Sequence, residues 1–433
     1  MTNKLLAFIF LSGSLTLSAQ QTLNLETCLK MADTANLSIR NARLDVELNQ
    51  KQIKAYKSAI TPKVTFTGDY KYNAIIPGQV VPAAFFGGAP GTYATVQFGV
   101  PYNFGNTLQL TQVIYNPQVN YALQALALNQ KVIEIQETMT EQDTKHQVAS
   151  TYFNLQAMAK QLAFLKDNLA NMDKLILNME KTVKAELVVE TELDKLKINR
   201  LNVVNSQQTL EATKEQMETL LKILIGIKSD QTITLDSDQM MQNSILVDSE
   251  QIKHSEIDLL DAQLNLNAEE RKGTNMAYLP SLSFYAAYNY TYNMKPEDDF
   301  RTGIESAFIG LRLDWTLFDG LEKYNKQKVN AINREKIENQ KNLVSQQLQL
   351  ATDNAKKQIA IQANSLTISK EQLFLAERVY KQTQAQFTEG TVSSNDLITS
   401  ENSLHQAQTN VVSAYIQLRQ AELAYLKSIG NIK

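Results

Sequence analysis

The chain states one structural unit twice. A proline opens an alternating strand, Pro62-Lys-Val-Thr-Phe-Thr-Gly-Asp-Tyr-Lys-Tyr72, and the pattern returns as Pro280-Ser-Leu-Ser-Phe-Tyr-Ala-Ala-Tyr-Asn-Tyr290. A strand closing on a turn, Leu110-Thr-Gln-Val-Ile-Tyr-Asn-Pro117, returns as Leu313-Asp-Trp-Thr-Leu-Phe-Asp-Gly320. A break between helices, Val183 to Leu193, returns at Phe387 to Leu397. The spacing of roughly two hundred residues is far longer than the unit of a solenoid. The spacing therefore predicts one duplicated helix–hairpin–long helix–helix module.

The N-terminus reads as an address. Lys4 precedes an apolar run from Leu5 to Leu17, and Ser18-Ala19-Gln20 offers a small-residue exit. This predicts a signal peptide over 1–19, cleaved after Ala19 or Gln20. The apolar run is too short to span a bilayer, and no cysteine at the cut invites a lipid anchor. Cys28 is the single cysteine, which excludes an intrachain disulfide.

Several chemistries lack their residues. The net charge of −3 is wrong for a nucleic-acid surface. His146, His254 and His405 are scattered, without the spacing of a zinc site. No glycine-rich phosphate loop and no nucleophile elbow occurs. The sequence predicts no enzyme and no cofactor.

From Val119 to Val183 there is neither proline nor glycine. Asn116-Pro117 opens this stretch as a helix start should. Leu155, Met158, Leu162, Leu165, Leu169, Met172, Ile176, Met179 and Val183 alternate spacings of three and four, a coiled-coil seam. At 1.5 Å per residue the stretch makes a rod of roughly 95 Å. Sevenfold series recur at Leu196–Leu224, Ile359–Phe387 and Leu397–Tyr425. The last series alternates with Ser400, Ala407, Ala414, Ala421 and Ser428, small enough for close helix approach. A solvated coiled coil and the wall of a water-lined helical tube both fit this pattern.

The hairpins alternate with period two. Val64, Phe66, Tyr70 and Tyr72 oppose Lys63, Thr65, Thr67, Asp69 and Lys71. Leu282 to Tyr292 repeats the alternation, and Ile309, Leu311, Leu313, Trp315 and Leu317 oppose Arg312 and Asp314. Such strands, with tyrosine at their margins, suit an outer-membrane barrel. Four strands cannot close a barrel, and an open edge cannot stand in lipid. A pore therefore needs several copies, and three supply twelve strands. Asn73–Asn103 reads as a long external loop and Tyr292–Gly303 as its shorter counterpart.

In order and spacing these motifs resemble the TolC family of outer-membrane efflux channels over essentially the whole mature chain. The segment Phe387-x-x-Gly390-Thr391-Val392-x-x-x-Asp396-Leu397 is the most specific carrier. The resemblance implies a homotrimer, with a twelve-stranded β-barrel in outer-membrane lipid and an α-barrel tunnel through the periplasm. It implies two partners, a periplasmic adaptor and an inner-membrane pump of the RND or ABC type. It places Asp396 at the periplasmic aperture, Phe387 beside the gate, and Thr399 where a second acidic ring can stand. Glu192 stands where the family often has aspartate, and Val392 where it can have a gating arginine. Gly390 and Thr391, with Glu186 and Leu187 in the first repeat, match the turns that adaptors contact. Glu186 replaces the first-repeat glycine.

The expected organisation is a signal peptide (1–19), a first repeat (20–228, hairpin 62–115, helices 118–226), a linker (229–250), and a second repeat (251–433, hairpin 280–318, helices 321–429). The fold class is mainly α with a β-barrel part. The expected function is a passive exit duct in the outer membrane, for efflux or type I secretion. The alternative is a periplasmic or surface coiled-coil scaffold or adhesin without a pore.

Overall fold

The computed structural model describes residues 22–235 and 254–431. The expected leader lies outside the described residues, as does most of the 229–250 linker. In chain order the elements are β1 (Thr22–Leu23), α1 (Leu25–Ala35), α2 (Leu37–Lys57), β2 (Lys63–Tyr72), β3 (Gly78–Pro82), β4 (Tyr93–Gln97), β5 (Tyr102–Tyr115), α3 (Pro117–Lys184) and α4 (Glu190–Ile225). There follow β6 (Thr234–Leu235), α5 (Ser255–Met276), β7 (Ser281–Lys295), β8 (Phe300–Asp314), α6 (Glu322–Thr388) and α7 (Ser394–Ser428). The chain is mainly helical, with hairpins set between helices in both halves. The two compact units do not coincide with the two sequence repeats. One takes 1–44, 136–257 and 343–433, the other 45–135 and 258–342, so each draws on both repeats.

The first unit is helical. In α3 the seam residues Leu155, Leu162, Leu165, Met172, Ile176 and Met179 are buried, whereas Met158 and Leu169 are partly exposed. Asn168 is buried beside Leu169, and its Nδ2 donates to Gln408 Oε1 on α7 at 2.9 Å. A polar pair inside an apolar seam fixes register, because shifting either helix would strand a buried amide. In α7 the heptad leucines and their small partners are buried together: Leu397, Leu404, Val411 and Leu418 with Ser400, Ala407, Ala414 and Ala421. One cluster joins Leu175, Ile176, Met179, Leu193, Leu196, Tyr380, Leu397 and Leu404, uniting all four long helices.

Two small elements escape a period-based reading. The short helix α1 starts on Asn24, whose side chain accepts from Thr27 N–H at 2.8 Å. It packs on α4, where Gly226 has a left-handed φ of 72°. A Cβ at Gly226 would lie 2.5 Å from Ala35 Cβ, so a side chain there would push α1 away. Asn36 closes the joint by donating to Leu224 C=O at 2.8 Å while capping α2 through Ser38 N–H. The strands β1 and β6 pair in parallel over only two residues. Cys28 is fully buried in this core, and burial pushes its thiol up to about 11, which keeps it unreactive.

The second unit is built on a four-stranded antiparallel sheet in the order β2-β5-β7-β8. Its register puts Val64, Phe66, Tyr70 and Tyr72 on one face with Tyr102, Phe104, Leu108, Leu110, Leu282, Phe284, Tyr288, Tyr290, Tyr292, Ile309, Leu311 and Leu313. The other face carries Lys63, Thr65, Thr67, Asp69 and Lys71 with Asn103, Thr107, Gln109, Asn289, Thr291, Asn293, Ser306 and Arg312, and also Tyr285, Ile304 and Phe308. Polar side chains pair across it: Thr107 Oγ1 donates to Asn289 Oδ1 at 2.8 Å, and Asn103 Nδ2 to Asn293 Oδ1 at 2.6 Å. On the apolar face the rings cluster at the end remote from the helices, with Tyr72–Tyr102 at 4.9 Å and Tyr70–Phe104 at 5.6 Å.

The strands differ from expectation at their ends. The second hairpin turns within Pro296–Asp299, not across Tyr292–Gly303, because Met294 still pairs with Arg301 and Lys295 with Phe300. Asp299, at φ 54°, closes that turn. The last strand stops at Asp314 instead of Leu317. Trp315 leaves the ladder to donate its Nε1–H to Tyr278 C=O at 3.0 Å. The long loop after β2 holds a hairpin of its own, β3 with β4. Among the described residues no helix is long and apolar enough to cross a membrane.

Candidate functional site

The two helix breaks adopt one conformation. At the end of α3, Glu186 N–H donates to Val183 C=O at 2.9 Å and Leu187 N–H to Thr182 C=O at 3.1 Å. At the end of α6, Gly390 N–H donates to Phe387 C=O and Thr391 N–H to Gln386 C=O, both at 3.0 Å. This paired bonding is the Schellman stop, which needs a left-handed residue just past the helix. Gly390 supplies it at φ 76° and Glu186 at φ 58°. The replacement of glycine by Glu186 therefore keeps the turn. It accepts a strained backbone, which for a residue with a Cβ costs about 1–2 kcal/mol. Leu187 is 74% exposed at the apex of its turn, and Thr391 is exposed at the other.

The start of α7 carries the acidic chemistry. Ser393 and Asp396 form a reciprocal cap: Asp396 N–H donates to Ser393 Oγ at 3.2 Å, and Ser393 N–H to Asp396 Oδ2 at 3.1 Å. The Ser393 hydroxyl also donates to that carboxylate at 2.6 Å. These bonds to the charged form hold Asp396 below the usual aspartate range. Asp396 stays exposed, on the same side of α7 as Thr399, whose hydroxyl is turned back onto Asn395 C=O at 2.8 Å. Of the α7 residues exposed between Asn395 and Gln420, Asp396 alone is charged; the rest include Thr399, Asn402, Ser403, Gln406, Ser413 and Gln417.

Glu192 plays a different part. Lys195 sits 2.7 Å from its Oε1, and Ser394 Oγ donates to its Oε2. Lys195 first and Ser394 second lower its pKa. Glu192 thus ties the first turn to the start of α7, and Lys195 matches its charge. Phe387 packs on the cluster of Leu175, Met179 and Leu193. Glu192, Phe387, Gly390 and Ser394 line one open cavity of about 400 Å³, with Met179 and Val188. Asp396, Thr399, Glu186 and Leu187 lie outside that lining.

Sequence reasoning missed one group. Glu401, one turn beyond Leu397, is 4% exposed. Its Oε2 accepts from Asn199 Nδ2 on α4 at 3.0 Å, and its Oε1 has no partner. Tyr380 on α6 is also buried, with its hydroxyl unpartnered, and raised by burial and by Glu401. Burial pushes Glu401 up to about 7. A charged residue flanking the seam at Ser400 was the available signal. Among the described residues no cluster of His, Cys, Asp and Glu is arranged to hold a metal.

The chain is similar to known proteins in part of its sequence and most of its fold. Residues 28–185 match the family model described as outer membrane efflux protein. No curated protein matches the sequence significantly. Among solved structures, the chain is similar to the outer membrane protein VceC of Vibrio cholerae, at 13% identity and TM-score 0.69, covering 94% of this chain and 96% of that one. It is similar to the CmeC outer membrane channel of Campylobacter jejuni, at 16% identity and TM-score 0.70, over 94% and 85%. It is also similar to the open state of the MtrE outer membrane channel of Neisseria gonorrhoeae, at 14% identity and TM-score 0.70, over 94% and 89%. The resemblance read from the sequence is borne out by the family model over residues 28–185, and the fold of the single chain, mainly helical with a sheet, by the solved structures.

Proposed function

From its likeness to the outer membrane efflux proteins, we propose that this chain is a passive exit duct in the outer membrane of a Gram-negative bacterium. It works as a homotrimer, receives solutes from an inner-membrane pump of the RND or ABC type through a periplasmic adaptor, and performs no chemistry. The observation that carries this reading is the four-stranded sheet. One face is mostly apolar and aromatic, the other mostly polar, and among the described residues the outer edges of β2 and β8 are unpaired. In lipid an unpaired strand edge is untenable, so β2 of one copy pairs with β8 of the next and three copies close twelve strands. A scaffold or adhesin in water would leave the same aromatic face uncovered.

The helical unit supplies the duct wall and its inner mouth. The exposed, uncharged polar stripe of α7 suits a water-filled lumen. Threefold symmetry repeats Asp396 around one axis and makes a cation-selective ring. Phe387, Thr399 and Glu192 form the surrounding gate, with the Glu192–Ser394 bond holding the two turns together. The adaptor docks on the turns at Glu186, Leu187, Gly390 and Thr391, where exposed Leu187 offers apolar surface.

The test is genetic complementation. Deleting the gene raises sensitivity to the pump's substrates, and the wild-type gene restores resistance. Gly390→Pro forbids the φ of 76° that the turn requires. That variant should leave trimers in the membrane and abolish efflux. Full resistance with Gly390→Pro would remove the docking site from the turn.

A further inference from the structure

The loop between β2 and β5 is built unlike its counterpart in the second repeat. From Asn73 to Pro101 it contains no charged residue, in a chain that is 20% charged. The matching turn between β7 and β8 packs Lys295, Glu297, Asp298, Asp299 and Arg301 into seven positions. The uncharged loop folds as the hairpin β3–β4, which among the described residues pairs with no other strand. It leaves Ile75 86%, Phe85 80%, Tyr93 73%, Val80 69% and Phe86 61% exposed. A two-stranded hairpin by itself is at best marginally stable in water, and this one has its apolar side chains outside. It needs a cover.

The root of the loop indicates which cover. Asn73 Nδ2 donates to Asn103 Oδ1 at 2.6 Å and to Val100 C=O at 3.0 Å, and Asn103 Nδ2 donates onward to Asn293. Asn103 and Asn293 belong to the polar face of the sheet, opposite the aromatic Tyr72–Tyr102 pair. The root of the loop is therefore tied to the polar face of the sheet, which in the duct reading faces the lumen, and not to the aromatic face. Its reach is sufficient. Five-residue strands extend about 17 Å, and twelve strands 4.8 Å apart and tilted about 40° close at a backbone radius of about 12 Å. Lack of charge suits close apolar contact at a threefold axis, because a charge there is met by two copies of itself.

Resting on the trimeric duct reading, we propose that the 73–101 loops of the three copies converge over the outer mouth of the barrel. Each is the other's cover, and Phe85 and Phe86 meet near the axis as an apolar cap. This is a second closure, at the opposite end of the barrel from the helices. An apolar constriction of this kind closes by excluding water, and yields when cargo presses through it.

Cross-linking tests the cap. In a Cys28→Ala background, Phe85→Cys and Phe86→Cys should each give covalent dimers under mild oxidation of the trimer in membranes. Asp298→Cys, on the charged turn, should give none. In a second measurement, Phe86→Trp in a Trp315→Phe background should keep its fluorescence in vesicles of brominated phospholipid. Intact trimers with no cross-link from either loop variant, or strong quenching of Trp by the brominated lipid, would overturn the cap and leave the duct standing. Absence of a trimer in the wild-type protein from the same membranes would overturn the duct reading and the cap with it.

Discussion

At the residue scale, Asp396 has an observed role as a helix cap and a proposed one in an aperture ring, and one substitution separates them. As part of the Ser393–Asp396 cap it needs only an acceptor; as a member of a ring it needs its charge. Asp396→Asn keeps an acceptor and removes the charge. Its α7 start should remain intact, with the wild-type trimer yield and helix content. In planar-bilayer recordings it should lose block by trivalent cations added from the periplasmic side, and Asp396→Lys should shift preference toward anions. Unchanged block and selectivity in both would leave Asp396 as a cap alone. The cap was legible in the sequence, since Ser followed three residues later by Asp is a helix-start signal. Retention of the left-handed turn at Glu186 was not, because nothing local distinguishes a glutamate at φ 58° from one in a helix.

At the element scale, the seam between α4, α6 and α7 contains a titratable defect. Burial holds the Glu401 carboxyl up at about 7 in the folded protein, against about 4.5 for an ordinary glutamate. Between those two values the folded state holds a proton that the unfolded state has released, so stability falls as pH rises from about 4.5 to 7 and is level above that. Glu401→Gln keeps an acceptor for Asn199 and removes the charge. It should raise the thermal midpoint at pH 8 by the equivalent of a few kcal/mol at most and have little effect near pH 4. Scanning calorimetry at the two pH values checks this, and an equal effect at both would show that Glu401 is not neutral in the seam. The heptads that form these helices were plain from sequence. Glu401 was hidden because it neighbours the seam without occupying it, and only the packing of α4 against α7 encloses it. The α1–α4 joint and β3–β4 were hidden for other reasons: α1 carries its apolar contacts on three turns, and the β3–β4 segment is broken up by Pro77, Pro82 and Pro90.

At the scale of the whole molecule, duplication and packing are different divisions. The repeats were visible as copied motifs, yet each compact unit takes residues from both. The four-stranded sheet shows why: β5 of the first repeat pairs with β7 of the second over most of its length. Two separate copies of the repeat would have two strands and two open edges each, four edges in all. Two repeats remove the central edges and leave β2 and β8 unpaired, which a ring of identical copies resolves. The account therefore rests on closure by three copies. The direct measurement is native mass spectrometry of the full chain extracted in mild detergent from outer membranes. The account predicts a single species of three mature chains, stable on dilution. A monodisperse monomer from the same membranes would contradict it, because four strands with both edges open cannot stand in lipid.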